Sequence, residues 1–414
     1  MASLQPVRGT HDLLPDDMRA HRHVSDTARA AAGRYGFDEM ATPIFEFSQV
    51  FKRTLGDTSD VVTKEMYTFE DKGGDEVTLR PENTAGVARS FISEGLAQNV
   101  PVKFFYSGPM FRYERPQKGR LRQFHQIGVE LIGVEQAQAD LEVIACGARV
   151  LDDLGVLGET TLELNTLGDT ESRNRYREAL VTYFNDYVDE LSPDSQDRLQ
   201  RNPLRILDSK NERDRDIVAG APVFEQFLNE GSQAFFATVR DGLDALEIAY
   251  TLNPRLVRGL DYYCHTAFEF TTQALGAQGA VIAGGRYDGL IGMMGGRETP
   301  GVGWAGGIER LAMLCGDPPP ASRPIVVIPV GDEARAAGFT LTETLRRAEY
   351  RVDIGYSGNM SRRMKRANRL NAAAVVILGE DELARQAATV RHMDTGEQEE
   401  VLLASLPEFL ALYR

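Results

Sequence analysis

The amino-acid sequence predicts an α+β protein with an antiparallel sheet, a helical insertion and a separate α/β domain at its C-terminal end. Three observations predict this architecture. Residues 40–135 and 250–315 are rich in short strand-like segments separated by glycines. Apolar residues at helical spacing fill the block between them, from about Glu171 to Leu246. After a proline-rich linker, strand-like and helix-like segments alternate.

The proline-rich linker marks the main domain boundary. Gly316 to Pro320 ends in three consecutive prolines, which cannot continue a helix or pair in the centre of a sheet. The strand-rich parts on either side of the helical block are expected to form one antiparallel sheet. The predicted domains are the first part of the core, the helical insertion, the second part of the core and the α/β domain, at residues 1–170, 171–246, 247–317 and 323–414.

The C-terminal domain shows the clearest alternation of segment types. In chain order we predict strand Ile325–Val330, helix Glu333–Ala348, strand Arg351–Tyr356, helix Ser361–Leu370 and strand Ala374–Leu378, then a hairpin of Thr389–Met393 with Glu399–Leu403 and a terminal helix. Strands that alternate with helices predict a mainly parallel sheet.

The composition excludes several classes of protein. With 42% hydrophobic and 26% charged residues in 414, the chain resembles neither a disordered protein nor a collagen-like repeat. Its apolar runs are far shorter than the roughly 20 residues of a membrane-spanning helix. The opening MASLQPVRGTHD contains no basic-then-apolar signal segment. We therefore expect a cytoplasmic protein without a membrane partner.

Cysteine and histidine give no sign of a metal site. The three cysteines, Cys146, Cys264 and Cys315, are too few and too scattered for a disulfide framework, and no C-x-x-C pair is present. His21 and His23 stand two apart in a helix-like segment, so their side chains point in different directions. We expect no structural metal.

The charge balance needs to be considered in parts. A net charge of −15 argues, taken alone, against a nucleic-acid partner, because phosphate contacts need Lys and Arg. From Ala321 onward, however, 13 basic and 13 acidic residues balance, so residues 1–320 carry the whole excess. That last part also contains a dense basic run, Arg362, Arg363, Lys365, Arg366 and Arg369. A phosphate-facing patch and a solvated helix face both explain this run.

The densest group of polar and aromatic residues lies between Phe104 and Glu130. Two strand-like runs flank a loop with four basic residues, Arg115, Lys118, Arg120 and Arg122. Because side chains alternate between the two faces of a sheet along a strand, four other side chains have positions compatible with a single face: those of Arg112, Phe124, Gln126 and Glu130. Arginines on a hairpin suit phosphate recognition, because guanidinium is a planar and permanently charged fork. A solvated hairpin with a basic tip is the alternative interpretation.

Two glycine-rich segments would let a ligand approach the backbone closely. Ala283–Leu290 reads Ala-Gly-Gly-Arg-Tyr-Asp-Gly-Leu, which is also a plausible turn. Gly301–Leu311 predicts a glycine-rich strand that leads into a helix with Arg310 in its first turn, a combination that suits a nucleotide pocket. Neither a Rossmann nor a P-loop fingerprint is present.

Two further segments combine charged residues with aromatic or hydroxyl groups. Leu256–Tyr263 places one Arg and one Asp beside two tyrosines, for which a salt-bridged strand end is the simpler interpretation. Thr78–Ala85 places Glu82 and Thr84 after a predicted strand, where Glu82 also suits the cap of a helix. No Ser-His-Asp or Cys-His pairing stands out. A site rich in arginine with few bases fits nucleotidyl transfer.

Taken in order, these segments resemble the histidyl-tRNA synthetase family of class II aminoacyl-tRNA synthetases over essentially the whole chain. The opening Val7-Arg-Gly-Thr-His-Asp resembles that of the family, Arg112 to Glu130 resembles its motif 2, and Gly301 to Leu311 resembles its motif 3. The segments Leu256–Tyr263 and Ala283–Leu290 resemble its two histidine-specific signatures. The resemblance implies a class II antiparallel catalytic core, a helical insertion domain and an anticodon-binding domain.

The resemblance also implies a reaction. L-Histidine would attack the α-phosphate of ATP to give histidyl-adenylate and pyrophosphate, and the 3′ end of tRNA(His) would then accept the histidyl group. Mg²⁺ is expected to bind with the ATP phosphates, and the chain is expected to form a homodimer. The implied catalytic residues are Arg112 and Arg258, with Arg258 in a place where related enzymes use a metal.

By the same resemblance, each candidate side chain has an expected ligand. The residues implied for histidine are Glu82, Thr84 and Gln126 at the α-amino group, Glu130 and Tyr263 at the imidazole with Tyr262 beside them, and Arg112 and Arg258 at the carboxylate. Those implied for ATP are Arg112, Glu114, Arg120, Phe124 and Arg310, with Phe124 stacked on the adenine. Arg115 and Gln117 match residues that the family uses on the extra 5′ guanosine of its tRNA.

Two other classes of protein share parts of this pattern. One is the synthetase-like regulatory subunit of ATP phosphoribosyltransferase, a binding protein that lacks the anticodon domain. The other is a synthetase-like nucleotide-binding module embedded in a much longer signalling chain. The domain after Pro320 and the intact Arg112, Arg258 and Arg310 favour a synthetase over both.

Overall fold

The computed structural model describes residues 3–55, 61–117, 119–209, 211–256, 262–276 and 279–413. The chain forms two compact units, Met1–Pro319 and Pro320–Arg414, and the division between them falls inside the predicted linker. Lys118 and residues 257–261 of the predicted clusters, which include Arg258 and Asp261, lie outside the described residues.

The first unit contains ten α-helices and eleven strands in its described residues. The helices are α1 Pro15–Arg34, α2 Ser48–Leu55, α3 Thr84–Ser93, α4 Gln138–Asp153, α5 Thr170–Asn185, α6 Pro193–Arg201, α7 Glu212–Gly220, α8 Glu230–Ala245, α9 Leu290–Met293 and α10 Ile308–Cys315. The strands are β1 Asp38–Glu39, β2 Phe45–Phe47, β3 Tyr67–Glu70, β4 Glu76–Leu79, β5 Val102–Phe111, β6 Gln123–Ile132, β7 Thr161–Thr166, β8 Tyr250–Leu252, β9 Cys264–Thr271, β10 Ala280–Arg286 and β11 Gly301–Gly307.

Eight strands of the first unit form one sheet in the order β1-β5-β6-β11-β10-β9-β7-β8. The six central strands pair antiparallel, whereas β1 and β8 pair parallel at the two edges. Strands from before and after the helical block are neighbours in this sheet, as in β6 with β11 and β7 with β9. The predicted antiparallel core with a helical insertion is therefore confirmed. A smaller antiparallel sheet has the order β2-β4-β3.

Alternation along β6 separates the main core from the other face of the sheet. Ile127, Val129 and Leu131 belong to the main hydrophobic core, which α1, α4 and α10 also line. Gln126 and Glu130 have the opposite parity and point to the face on which the predicted site residues gather. The strand therefore joins the packed core to a polar surface on its reverse side.

The helical block contains a module with a hydrophobic core of its own. Residues 176–228, which include most of α5 together with α6 and α7, form one apolar cluster. Helix α8 differs, because its Val239 and Leu243 belong to the main core, where the helix packs on α4. The independent module therefore ends near Asn229, short of the boundary predicted at Leu246.

Reciprocal helix caps join the two places where the chain enters and leaves this module. Asp169 caps α5 by accepting the N–H of Ser172, and Asn229 caps α8 by accepting the N–H of Ser232, both at 2.8 Å. The Nδ2 of Asn229 donates to Oδ2 of Asp169 at 2.6 Å. The backbone N–H of each cap residue donates to the serine of the other helix. The two crossings are therefore held together at one point.

The second unit is an α/β domain with a mixed sheet. Its strands are β12 Ile325–Pro329, β13 Val352–Ile354, β14 Ala374–Leu378, β15 Ala387–His392 and β16 Gln398–Leu402, and its helices are α11 Glu333–Arg347, α12 Met360–Arg369, α13 Glu380–Ala384 and α14 Leu406–Phe409. The strand order is β13-β12-β14-β15-β16. The first three strands are parallel, as predicted, and the predicted hairpin adds β15 and β16 antiparallel.

Helix α12 divides the basic run between two faces. Arg366 forms an ion pair with Asp353 at 2.8 Å, and Arg363 donates to a backbone carbonyl of β12. Three basic residues of the run remain exposed at the spacing of a single helix face, Arg362, Lys365 and Arg369.

Across the described residues, no helix combines the length and apolar character that crossing a membrane requires.

Candidate active site

One pocket of the first unit collects most of the predicted site residues. Its volume is about 290 Å³. Ten predicted residues line it: Glu82, Thr84, Arg112, Glu114, Arg120, Phe124, Gln126, Tyr262, Tyr263 and Arg310. Segments that are far apart in the sequence thus meet in one cavity. Tyr287, Glu269 and Glu309 also line the pocket, although the sequence reasoning did not propose them as site residues.

Four predicted site residues do not line this pocket. Glu130 lies buried beside it. Arg115 and Gln117 are exposed in the loop between β5 and β6, and Gln117 lines an adjoining cavity instead. Arg258 lies outside the described residues, so its predicted role stays a prediction.

Glu82 forms the wall of the pocket at the start of α3. Its carboxylate oxygens accept the N–H groups of Thr84 and Ala85 at 2.7 and 2.9 Å. The residue therefore satisfies free N–H groups at a helix N-terminus, and it lines the pocket as well. Burial raises the pKa of the Glu82 carboxyl, although the two N–H groups oppose that shift.

Glu130 lies at the base of the pocket between two hydroxyl donors. The Oγ1 of Thr84 donates to its Oε1 at 2.7 Å, and the hydroxyl of Tyr287 donates to its Oε2 at 2.5 Å. Burial raises the pKa of Glu130 to about 8, although both hydrogen bonds lower it. The carboxyl group is therefore largely protonated at neutral pH. Such a group can donate or accept a hydrogen bond, which suits the recognition of an imidazole.

Tyr287 is the main site residue that sequence reasoning missed. It stands in the segment Ala283–Leu290, where the glycines were noted and the tyrosine was not assigned a role. Its ring is 5.9 Å from that of Tyr262, which is in turn 4.6 Å from that of Tyr263. Burial raises the pKa of Tyr262 and Tyr287 well above the usual range, so both hydroxyl groups stay neutral.

The guanidinium groups of the pocket differ in their partners. The Nε of Arg112 donates to the carbonyl of Pro81 at 2.8 Å, and its guanidinium carbon lies 5.2 Å from the centre of the Phe124 ring. Arg120 forms an ion pair with the buried Glu114. The charge of Arg120 is therefore partly neutralised inside the protein.

Several pocket residues have buried polar atoms with no hydrogen-bond partner among the described residues. These atoms include Nε and Nη2 of Arg310, Oε1 of Gln126 and the hydroxyl oxygen of Tyr262. Burial lowers the pKa of Arg310, and the nearby charge of Arg120 lowers it further. Because buried polar groups are normally paired, these atoms indicate places for ligand atoms. An anion suits Arg310, and a hydrogen-bond donor suits Gln126.

Glycines make room for Glu130 in the middle of the sheet. Gly303 of β11 stands opposite Glu130 of β6. A Cβ at Gly303 would overlap Oε2 of Glu130 and the carbonyl oxygen of Val129. A Cβ at Gly284 of β10 would overlap the carbonyl oxygen of Gly303. Gly303 therefore leaves the space that the buried carboxyl group occupies, whereas Gly284 allows the close approach of β10 and β11.

Arg286, the charged residue of the same segment as Tyr287, has a structural role. It is fully buried and forms ion pairs with Asp140 of α4 and with Asp288. These contacts attach the end of β10 to α4 and lie outside the pocket wall.

Known proteins resemble this chain in both units. Residues 9–311 match the sequence model of a family described as histidyl-tRNA synthetase, and residues 324–411 match one described as anticodon binding domain. The chain is 64% identical over 414 residues to a histidine–tRNA ligase of Rhodospirillum rubrum, and the match covers 100% of both chains. It is 57% identical over 411 residues to a histidine–tRNA ligase of Gluconacetobacter diazotrophicus, and this match covers 99% of each chain.

A solved structure agrees with the sequence matches. The apo histidyl-tRNA synthetase of S. aureus superposes with a TM-score of 0.83 at 36% sequence identity. The match covers 98% of this chain and 99% of that one. The similarity therefore extends over both units, as the resemblance noted in the sequence predicts.

Proposed function

The chain belongs to the histidyl-tRNA synthetase family and has histidine–tRNA ligase activity, and we propose that the pocket beside Arg310 is where it activates L-histidine with ATP. The family uses ATP and Mg²⁺. The observation that carries the proposal is a pocket in which an arginine and a glutamine have buried atoms without a partner, beside a buried glutamate whose pKa is raised to about 8. These groups match a phosphate, an ammonium and an imidazole.

The histidine end of the pocket lies between Glu82 and Glu130. The α-ammonium group would contact Glu82, Thr84 and the free Oε1 of Gln126, since all three offer oxygen atoms to a cation. The imidazole would contact Glu130, with Tyr263 on its other nitrogen and Tyr262 beside them. A carboxyl group and a phenol together read both ring nitrogens.

The ATP end of the pocket lies between Phe124 and Arg310. The adenine would stack on Phe124, and the distal phosphates would bind the unpaired Nη2 of Arg310. Arg120 would bind the same phosphates once they compete with Glu114 for its guanidinium. Glu114 and Glu269 supply the carboxylate oxygens that Mg²⁺ prefers, so the wall fits an ion that is held mainly by the ATP phosphates.

Charge stabilisation would account for the acceleration of the first step. The histidine carboxylate attacks the α-phosphorus, a P–O bond to the α-phosphate forms, and the bond to the departing pyrophosphate breaks. Negative charge spreads over the oxygens in the transition state. Arg112 faces the pocket and would neutralise this charge together with Arg258. Arg310 would hold the pyrophosphate as it leaves.

Two exposed regions are our candidates for contact with tRNA(His). One is the loop between β5 and β6, in which Arg115 and Gln117 are exposed. The other is the exposed face of α12 defined above, which presents three basic side chains in the unit that matches an anticodon-binding domain. Basic residues on one helix face suit contact with a phosphate backbone. The acidic net charge of the chain does not conflict with such local contacts.

We also propose a homodimer formed through the small sheet β2-β4-β3. Phe45, Phe47 and Phe69 of this sheet are exposed, as is Ile44 beside it. Three large apolar side chains in one small sheet, with a fourth beside it, form the kind of patch that proteins usually cover with a partner.

The test of the proposed function is histidine-dependent exchange of pyrophosphate into ATP. We expect the unmodified chain to catalyse exchange with histidine and to give little with other amino acids. The variant Arg258→Ala should lose exchange by about 100-fold or more, because one charge that stabilises the transition state is removed. The matched control Arg335→Ala removes an exposed arginine of the second unit and should leave exchange unchanged.

Two outcomes would contradict the proposal. Absence of exchange with histidine would mean that the pocket binds ligands without activating them. Equal exchange with several amino acids would mean that Glu130 and its neighbours do not select an imidazole.

A further inference from the structure

Two histidines and a glutamate from three separate elements meet behind the wall of the pocket. They are His21 of α1, His125 of β6 and Glu309 in the first turn of α10. One potential ligand atom from each lies within 4.8 Å of the other two. The Nδ1 of His125 and Oε1 of Glu309 are already 2.9 Å apart. The sequence reasoning compared His21 only with its neighbour His23 and therefore did not consider this combination.

Glu309 and His125 hold each other in a fixed geometry. The backbone N–H of His125 donates to both carboxylate oxygens of Glu309, at 2.9 and 3.0 Å. The rings of His21 and His125 meet edge to face, with centroids 5.2 Å apart. Metal-binding side chains usually have such supporting contacts, because these contacts fix the orientation of the ligand atoms.

His21 is buried without a polar partner of its own. It is 7% exposed, and none of the described residues forms a hydrogen bond with its ring nitrogens. The residue lines the adjoining cavity, so a ligand in that cavity can reach it. The ring nevertheless lies against the pair formed by His125 and Glu309. A ligand that accepts electron pairs from nitrogen would satisfy it.

We propose that His21, His125 and Glu309 form a binding site for Zn²⁺ or a chemically similar transition-metal ion. Two imidazoles and one carboxylate match the donor preferences of Zn²⁺, whereas Mg²⁺ prefers an all-oxygen site. In a tetrahedral zinc site, ligand atoms about 2.0–2.2 Å from the metal are separated from each other by about 3.3 Å. The 4.8 Å cluster therefore closes around the ion by a movement of about 1–2 Å, mainly of His21.

An adjoining cavity gives the ion a route to the site. Its volume is about 430 Å³, and His21 and Glu309 both line it. His11, Asp16 and Asp17 also line this cavity, so a water molecule or one of these side chains is available as the fourth ligand. Glu309 lines the ATP pocket as well, so the bound ion lies directly behind that wall. The site differs from the place of Mg²⁺ on the ATP phosphates.

The test measures metal binding by the intact, tag-free chain after removal of bound metals with a chelator. Competition with a zinc-sensitive dye should give one Zn²⁺ per chain. The variant His21→Gln should weaken binding by about tenfold or more, because it removes one ligand. The matched control His23→Gln changes the next histidine of the same helix and should bind Zn²⁺ as the unmodified chain does.

The absorption spectrum of the Co²⁺-substituted chain identifies the ligands independently of the variants. Nitrogen and oxygen ligands in a tetrahedral site should give visible bands without the intense near-ultraviolet band of cobalt bound to thiolate. A thiolate band would assign the ion to a cysteine and overturn the proposal. Equal Zn²⁺ affinity of His21→Gln and the unmodified chain, or no binding by either, would overturn it too.

Discussion

Glu130 shows how one residue can be both a functional group and a burden on stability. Its carboxyl group is buried, and its pKa of about 8 lies well above the ordinary value of 4.5. Between about pH 4.5 and pH 8, the folded chain therefore holds a proton that the unfolded chain has released. The stability that this proton provides is complete below the lower value and is lost as the pH rises through the higher one.

We expect Glu130→Gln to remove this pH dependence. Glutamine keeps the shape of the side chain and cannot ionise, so the variant should gain stability relative to the unmodified chain as the pH rises. The expected change in relative free energy of unfolding between pH 5 and pH 8.5 is on the order of a few kcal/mol. Urea denaturation at both pH values measures it. Parallel pH profiles of the two chains would contradict the assignment of the shift to Glu130.

Arg310 is expected to contribute to activity and to contribute little or nothing to stability. Because its Nε and Nη2 atoms are buried without protein partners, Arg310→Met should leave the melting temperature unchanged or raise it. The same variant should lose pyrophosphate exchange by about 100-fold or more, since its charge is expected to bind phosphate. The control Arg297→Met changes an exposed arginine of the same unit and should affect neither measurement. Loss of activity together with loss of folding would show a structural role instead.

The glycines of β11 differ in the space that they leave for a side chain. Gly303 faces Glu130, whereas at Gly307, four residues along the strand, the nearest atom to an added Cβ is 3.6 Å away, in the flexible side chain of Arg310. We therefore expect Gly303→Ala to cost about 1–3 kcal/mol of stability and to raise the KM for histidine, since it displaces Glu130. Gly307→Ala should change the stability by less than about 0.5 kcal/mol. Thermal denaturation and exchange kinetics of both variants test this, and equal effects would contradict it.

The sequence pattern predicted the faces of single strands better than the surroundings of single helices. Alternation along β6 was enough to assign Gln126 and Glu130 to one face, because a strand reverses its side chains at every residue. Helical spacing placed the segment of α8 within the predicted helical block but could not show that Val239 and Leu243 join the main core. That depends on which surface the helix meets after folding. Glu82 is a further example, since the cap and the pocket wall turned out to be compatible functions of one residue.

Specific pairs of side chains could not be predicted from the sequence patterns, whether the partners are near or far along the chain. The contact of Arg120 with Glu114 is close in sequence, but nothing in the alternation required it. His21 and His125 come together only because α1 packs behind the end of β6. The pocket as a whole was predictable from the family resemblance, whereas the unpaired atoms within it required the structure.

At the scale of the whole molecule, each unit has its own hydrophobic core. The clusters of the first unit contain no residue beyond 315, and those of the second begin at Ile325. We therefore expect a chain of residues 1–319 to fold and to retain histidine-dependent pyrophosphate exchange. Its KM for tRNA should rise by about tenfold or more, because contacts of the second unit are lost. Aminoacylation kinetics test this, and loss of exchange in the shortened chain would contradict it.

The reciprocal caps at Asp169 and Asn229 bring the two ends of the helical module together. Because the two cap residues touch, a bridge of a few residues could close the chain at this point in place of everything between them, and the host would then lose the further hydrogen bonds that Arg255 and Tyr263 form with the module. Segments inserted at such points can grow, shrink or be exchanged while the host retains its topology. The topology of the sheet would survive such an exchange, whereas the hydrogen bond from Arg173 to the carbonyl of Tyr263 makes the first turns of α5 the part of the module on which the pocket depends.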